Sequence, residues 1–170
     1  MSLRVWLPLT GDLHNQGLDN PSLTTPSSFN FIPEGKIGSC LKTSSTEYLD
    51  LGYNGNQINT GSLSFGGWFK FNYDEINNAI KDKTYTSTYA FASGNLIGNG
   101  NYGGIGLHWT SNRIVDDGAF STINVITCVR STTNGARSST TYTLPFDEWI
   151  HIFLVFDKDN KKCLLYINGI

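Results

Sequence analysis

Short runs of alternating or continuous apolar residues fill most of this 170-residue chain, and clusters of turn residues separate them. "SLSFGGWFKFN" (62–72) alternates over its second half: Trp68, Lys70 and Asn72 point one way, Phe69, Phe71 and Tyr73 the other. Further strands are predicted at 3–9, 36–43, 47–52, 88–98, 103–109, 122–130, 136–144, 148–157 and 162–167. Polar turns at 44–46 and 158–160 join two of the pairs. Asn54-Gly55, Asn99-Gly100, Asn134-Gly135 and Asn168-Gly169 punctuate the pattern, since both residue types tolerate the positive φ of a tight hairpin.

The strand "WIHIFLVF" decides the architecture. Both its faces are apolar except at His151, so it must be covered on both sides or lie centrally in a sheet. Many antiparallel hairpins with no alternating helices predict an all-β protein, a two-sheet antiparallel β-sandwich. One helical turn or short helix is expected in "YDEINNAIKDK" (73–83), with Asp74 as cap and Ile76, Ala79 and Ile80 on one face. The segment 10–35, with three prolines and weak periodicity, reads as an extended loop along a sheet edge. The length suits a single domain over 1–170.

Composition supports this and removes several function classes. Charged residues are only 15%, against a usual ~25%, and Gly, Asn, Ser and Thr fill the deficit. Net charge is −2 with no basic block, so the attraction that drives nucleic-acid or anionic-membrane binding is missing. No apolar run is long enough for a membrane helix, and the apolar N-terminal stretch is broken by Pro8, so Sec-type export is not expected. Cys40, Cys128 and Cys163 are odd in number, widely spaced and each within a predicted strand. They read as buried reduced thiols.

Two stretches carry a family pattern. "SLSFGGWFKF" resembles the strand in which concanavalin A-like and laminin G-like jelly rolls place an aromatic, a Trp and a basic residue. "EWIHIFLVFDKDNKKCLLYING" is similar to their W-x-H-x-x-x-x-[YF]-D…L-x-[LI]-Y-[VI]-N-G hairpin, met here by Trp149, His151, Phe156, Asp157, Leu165, Tyr166, Asn168 and Gly169. With "GKIGSCLKT…EYLDLG" the resemblance covers about half the chain, and "LRVWLPLTGDLHNQGL" resembles the opening of bacteriophage and prophage laminin G-like proteins. The resemblance implies a jelly roll whose strands after Asn168-Gly169 are absent from this sequence. Three explanations fit: the sequence is a stretch of a longer protein, a partner supplies the strands, or the fold closes differently. The first is the expectation.

Candidate chemistry is sparse. "GNGNYG" (98–103) formally matches G-x-G-x-x-G but leads into a strand, where no helix N-terminus meets a phosphate. Glycoside hydrolases on this scaffold align carboxylates at i, i+2 along a strand. The best such pair, Asp157/Asp159, falls at a turn and is followed by Lys161. His14, His108 and His151 are dispersed, and His151 reads as a hydrogen-bonded core histidine. No catalytic residue and no cofactor are expected. Calcium would draw on Asn101, Asn112, Asp116 and Asp117, and the low charge count argues against a tight site.

A sugar site needs an aromatic platform beside amide and carboxylate groups. Asn101, Tyr102, Trp109, Arg113 and Asp116 supply these in one region. The competing reading makes Trp109 core and the others solvated turns. The expected function is a noncatalytic binding or structural module of a phage or prophage surface or virion protein, recognising glycan or another structural chain. It would act in the virion, or in the host cytoplasm during assembly. The alternatives are a glycan-cleaving enzyme with catalytic residues outside this segment, and an architectural subunit that oligomerises through an open sheet edge.

Overall fold

The computed structural model describes residues 7–9, 11–14, 16–17, 30–43, 62–81, 89–98, 104–114, 120–130, 137–138, 141–157, 159–160 and 162–170; between 89 and 141 the description is of the backbone. The described residues are mostly strands in antiparallel sheets, with one helix, so the protein is all-β. The chain divides into two compact units, Met1–Thr60 and Gly61–Ile170.

In the first unit, β1 (Asn30–Ile32) pairs antiparallel with β2 (Cys40–Lys42), with Phe31 opposite Leu41. One expectation is corrected here: residues 30–32 form a strand inside the segment read as a loop, and 40–42 pairs with them. The partner expected for 36–43, at 47–52, lies outside the described residues. Residues 36–39 belong to the turn, where Gly35 N–H donates to Gly38 O at 2.9 Å. Of the opening strand expected at 3–9, Leu7–Leu9 is described and is not a strand. Pro8 lacks an N–H and Leu9 sits at φ 58°, both incompatible with a continuing ladder.

The second unit holds two sheets. The three-stranded sheet contains β3 (Leu63–Phe69), β9 (Ile150–Asp157) and β10 (Lys162–Ile167), with β9 central as its apolar faces require. The five-stranded sheet runs β4 (Tyr89–Gly98), β5 (Gly104–Ile114), β6 (Phe120–Arg130) and β7 (Arg137–Ser138), and β8 (Thr141–Leu144) also pairs with β6. Both β7 and β8 fall within the predicted strand 136–144 and pair with β6 in one register, Val129 opposite Ser138 and Ile126 opposite Thr141. Arg130 pairs with Arg137, and Asn134-Gly135 between them lies outside the described residues.

Register explains the core. The pairs Phe69↔Ile150, Gly67↔Ile152↔Ile167 and Phe65↔Leu154↔Leu165 put one parity of each strand on a common face. Ile152 and Leu154 are fully buried there, with Ile150, Ile167, Phe71 and Leu144 around them. Leu144 belongs to β8, so the five-stranded sheet contributes to the same core cluster.

Helix α1 (Tyr73–Lys81) forms where the sequence predicts one, but its cap is Asn72 and not Asp74. Asn72 Oδ1 accepts the Glu75 N–H at 2.8 Å, satisfying one of the first-turn donors. Asp74 lies in the first turn, where its charge suits the helix dipole. A distant loop braces this end: Tyr73 N–H donates to Asp147 Oδ1 at 3.2 Å, and Asp147 N–H donates to Phe71 O at 2.9 Å. Asp147 holds φ 60° to make both bonds, and the Tyr73 ring meets Phe146 edge-on at 5.2 Å.

Candidate functional site, an aromatic sheet face

The parity that buries Ile150, Ile152 and Leu154 turns His151, Phe153 and Val155 to the other face of the three-stranded sheet. In register with them are Trp68 opposite His151, Gly66 and Tyr166 flanking Phe153, and Ser64 and Leu164 flanking Val155. Four of these five neighbours of the central row are aromatic, large and apolar, or a glycine that makes room for a ring. The face is thus apolar although it lies away from the core.

Its side chains are partly open to solvent. Trp68 is 43% exposed, Leu164 40% and Tyr166 36%, while His151 and Phe153 are half-buried between them. The His151 ring lies 5.2 Å from Trp68, tilted by 57°, and stacks on Phe153 at 5.9 Å with 12° between planes. Gly66 makes this row possible. A Cβ there would collide with Ile152 O and with Phe153 Cα and Cδ2, so only glycine lets the Phe153 ring lie across β3. His151 is therefore not the core histidine expected: its ring is half-buried in an aromatic row on the face away from the core cluster.

Chemically, the row offers flat π-surfaces and a phenol at the tip of Tyr166. Such groups stack on flat apolar faces of a ligand and hydrogen-bond its rim. The Asp157 carboxylate at the end of β9 is committed to its own turn. Asp157 accepts from the Asn160 side-chain amide at 2.7 Å and from the Asn160 N–H at 3.0 Å. These bonds, the side-chain amide first, hold its carboxyl below the ordinary carboxylate range. Burial instead pushes the Cys163 thiol up, and Cys40 and Cys163 are both unbridged.

Of the residues singled out from sequence, Asn101, Tyr102 and Asp116 lie outside the described residues, as does Asp117. Trp109 and Arg113 both fall on β5. Trp109 is opposite Gly94 and Val125; Arg113 is opposite Ala90 and Phe120, beyond a bulge at Asn112. Asn112 is opposite Phe91 and Thr122. His108 lies on the same strand opposite Ile126, and His14 is exposed with its N–H on Asp12 Oδ1 at 3.0 Å. Among the described residues no group of three or more His, Cys, Asp or Glu is placed to hold a metal ion, and no helix is long and apolar enough to cross a membrane.

Trp68 and Tyr166 were not marked as site residues by sequence, yet a signal existed. In the alternation of 62–72, Trp68 sides with Lys70 and Asn72, the polar parity. A Trp on the polar side of a strand has to be covered by something or to meet solvent. No protein-family model, curated protein or solved structure matches the chain.

Proposed function

We infer that the chain is a noncatalytic β-sandwich module of laminin G-like type that binds carbohydrate through the Trp68–His151–Phe153–Tyr166 face. The observation that carries this reading is the Trp68 ring, 43% exposed yet fixed against His151 in a register that also aligns Phe153 with Tyr166. A pre-ordered aromatic platform loses little entropy when a sugar ring stacks on it. The sandwich is supported by Leu144, a β8 residue buried with Ile152 and Leu154 of the other sheet. Membership of a phage or prophage surface or virion protein rests on the resemblance of the N-terminal stretch and the closing hairpin.

The test is a glycan array probed with the folded chain, followed by calorimetry on any hit. Trp68→Ala should weaken binding by about tenfold or more while leaving the urea midpoint close to that of the parent. A folded sample that binds no glycan, or a hit indifferent to Trp68→Ala, overturns the reading.

A further inference from the structure

Asn168 and Gly169 form a two-residue turn with φ 53° and 88°, and both are exposed. The Asn168 side chain is nevertheless held: its Oδ1 accepts the His151 N–H at 3.0 Å, so the amide reaches across to β9. The backbone is held too. Asn168 N–H donates to His151 O at 2.8 Å, and Ile167 and Ile170 exchange N–H···O bonds of 3.0 and 3.1 Å across the turn. Around Gly169 the space is open, since a Cβ built there would meet nothing within 4 Å.

An asparagine followed by glycine is chemically labile. The Gly169 nitrogen, once hydroxide has taken its proton, attacks Asn168 Cγ. A C–N bond forms, the Cγ–Nδ2 bond breaks, and ammonia leaves with a proton from water. Water then opens the five-membered imide at either carbonyl, giving aspartate or isoaspartate. The folded turn opposes the first step. A φ of 53° goes with a ψ of about 30–60°, which puts the Gly169 nitrogen on the far side of the Cα–C bond from Cβ. Ring closure needs that bond to turn through about half a revolution and Oδ1 to leave His151.

We propose that Asn168 is a deamidation site gated by the β9–β10 hairpin, locked while Oδ1 holds the His151 N–H and reactive once that bond opens. The two products differ in consequence. Aspartate keeps the main chain, and its carboxylate accepts the same N–H more strongly. Isoaspartate adds a methylene to the main chain between residues 168 and 169, so the turn no longer sets Ile170 opposite Ile167. The modification thereby converts a closed turn into an open one. This inference goes beyond the sugar reading and does not rest on it.

The test is peptide mapping of the full chain aged at neutral pH, native and denatured in urea, beside amide exchange of His151 in the native protein. In urea, Asn168 should deamidate at a pace comparable with Asn54, Asn99 and Asn134, the other asparagines that precede glycine. In the native protein it should react slower by about tenfold or more, and no faster than the open fraction reported by the His151 amide allows. Native Asn168 reacting at the urea rate overturns the proposal. So does a His151 amide that exchanges without protection, or an Asn168 that reacts faster than that amide opens, since the ring would then close with the bond in place. An Asn168 that stays intact in urea while the other three react overturns it as well.

Discussion

His151 and Asn168 hold each other by two hydrogen bonds of different kinds. Asn168 N–H donates to the His151 carbonyl at 2.8 Å, and His151 N–H donates to the Asn168 side-chain oxygen at 3.0 Å. In a regular antiparallel pair the second acceptor would be the Asn168 carbonyl. At φ 53° the backbone has already turned away, and the side chain takes over its role. One residue thus completes the β9–β10 ladder and starts the hairpin turn.

Asn168→Ala should lose on both counts: about 1 kcal/mol for the hydrogen bond and about 1–2 kcal/mol for a Cβ residue without a compensating side chain in the left-handed region. Asn168→Gly keeps the turn and should cost about 1 kcal/mol. Urea unfolding of the three proteins checks the order. Equal stability of the Ala and Gly variants would show that backbone conformation at this position carries no energy.

Adjacent glycines on β3 should behave in opposite ways. Gly66→Ala drives a methyl into the backbone of Ile152 and Phe153, so it should destabilise by about 1–3 kcal/mol or prevent folding. Gly67→Ala meets only Phe69 Cε2 at 3.9 Å and should change stability by less than about 0.5 kcal/mol. Thermal unfolding of both variants distinguishes a register-specific requirement from a general intolerance of β3 to side chains.

Strand parity sets a third contrast. Ile152→Ala or Leu154→Ala removes a fully buried side chain and should cost about 2–5 kcal/mol. Leu164→Ala, from a 40% exposed position on the neighbouring strand, should cost well under half of that. Denaturant midpoints at matched slope measure the difference, and comparable losses would mean that the Leu164 face is also enclosed.

That contrast also marks how far sequence alone could reach. The apolar run 149–156 demanded a central strand, and β9 is central. Because both its parities are apolar, the run could not say which one enters the core; the choice is made by the partners at Leu165, Ile167 and Leu144. The β1–β2 pair was missed for a similar reason. Three residues of strand carry too little alternation, and what makes 30–32 a strand is its pairing with 40–42. At α1 the local pattern gave the helix but placed the cap at Asp74, two residues inside. The Asp147 loop, 74 residues away in sequence, fixes where the helix begins. As for the aromatic face, Trp68 was visible on the polar parity of its strand, but its meeting with His151 depends on a register that only the folded sheets define.

The Asp157–Asn160 turn gives a pH dependence of definite sign. Asp157 is held below the ordinary carboxylate range, chiefly by the Asn160 side-chain amide and then its backbone N–H. A carboxyl with a depressed pKa in the fold stabilises it fully above the unfolded value, and that contribution is lost as pH falls through the folded value. Carbon-detected NMR titration of the Asp157 carboxyl should therefore find a midpoint below that of a free aspartate. Asn160→Ala removes the side-chain donor and leaves the backbone one, so the midpoint should move upward part of the way. The variant should also lose the part of the acid-range stability change that this turn supplies. An unchanged midpoint in Asn160→Ala would assign the depression to the backbone N–H donors of Asn160 and Asp159 and the Lys162 charge, and a Lys162→Ala titration would separate the charge from the backbone donors.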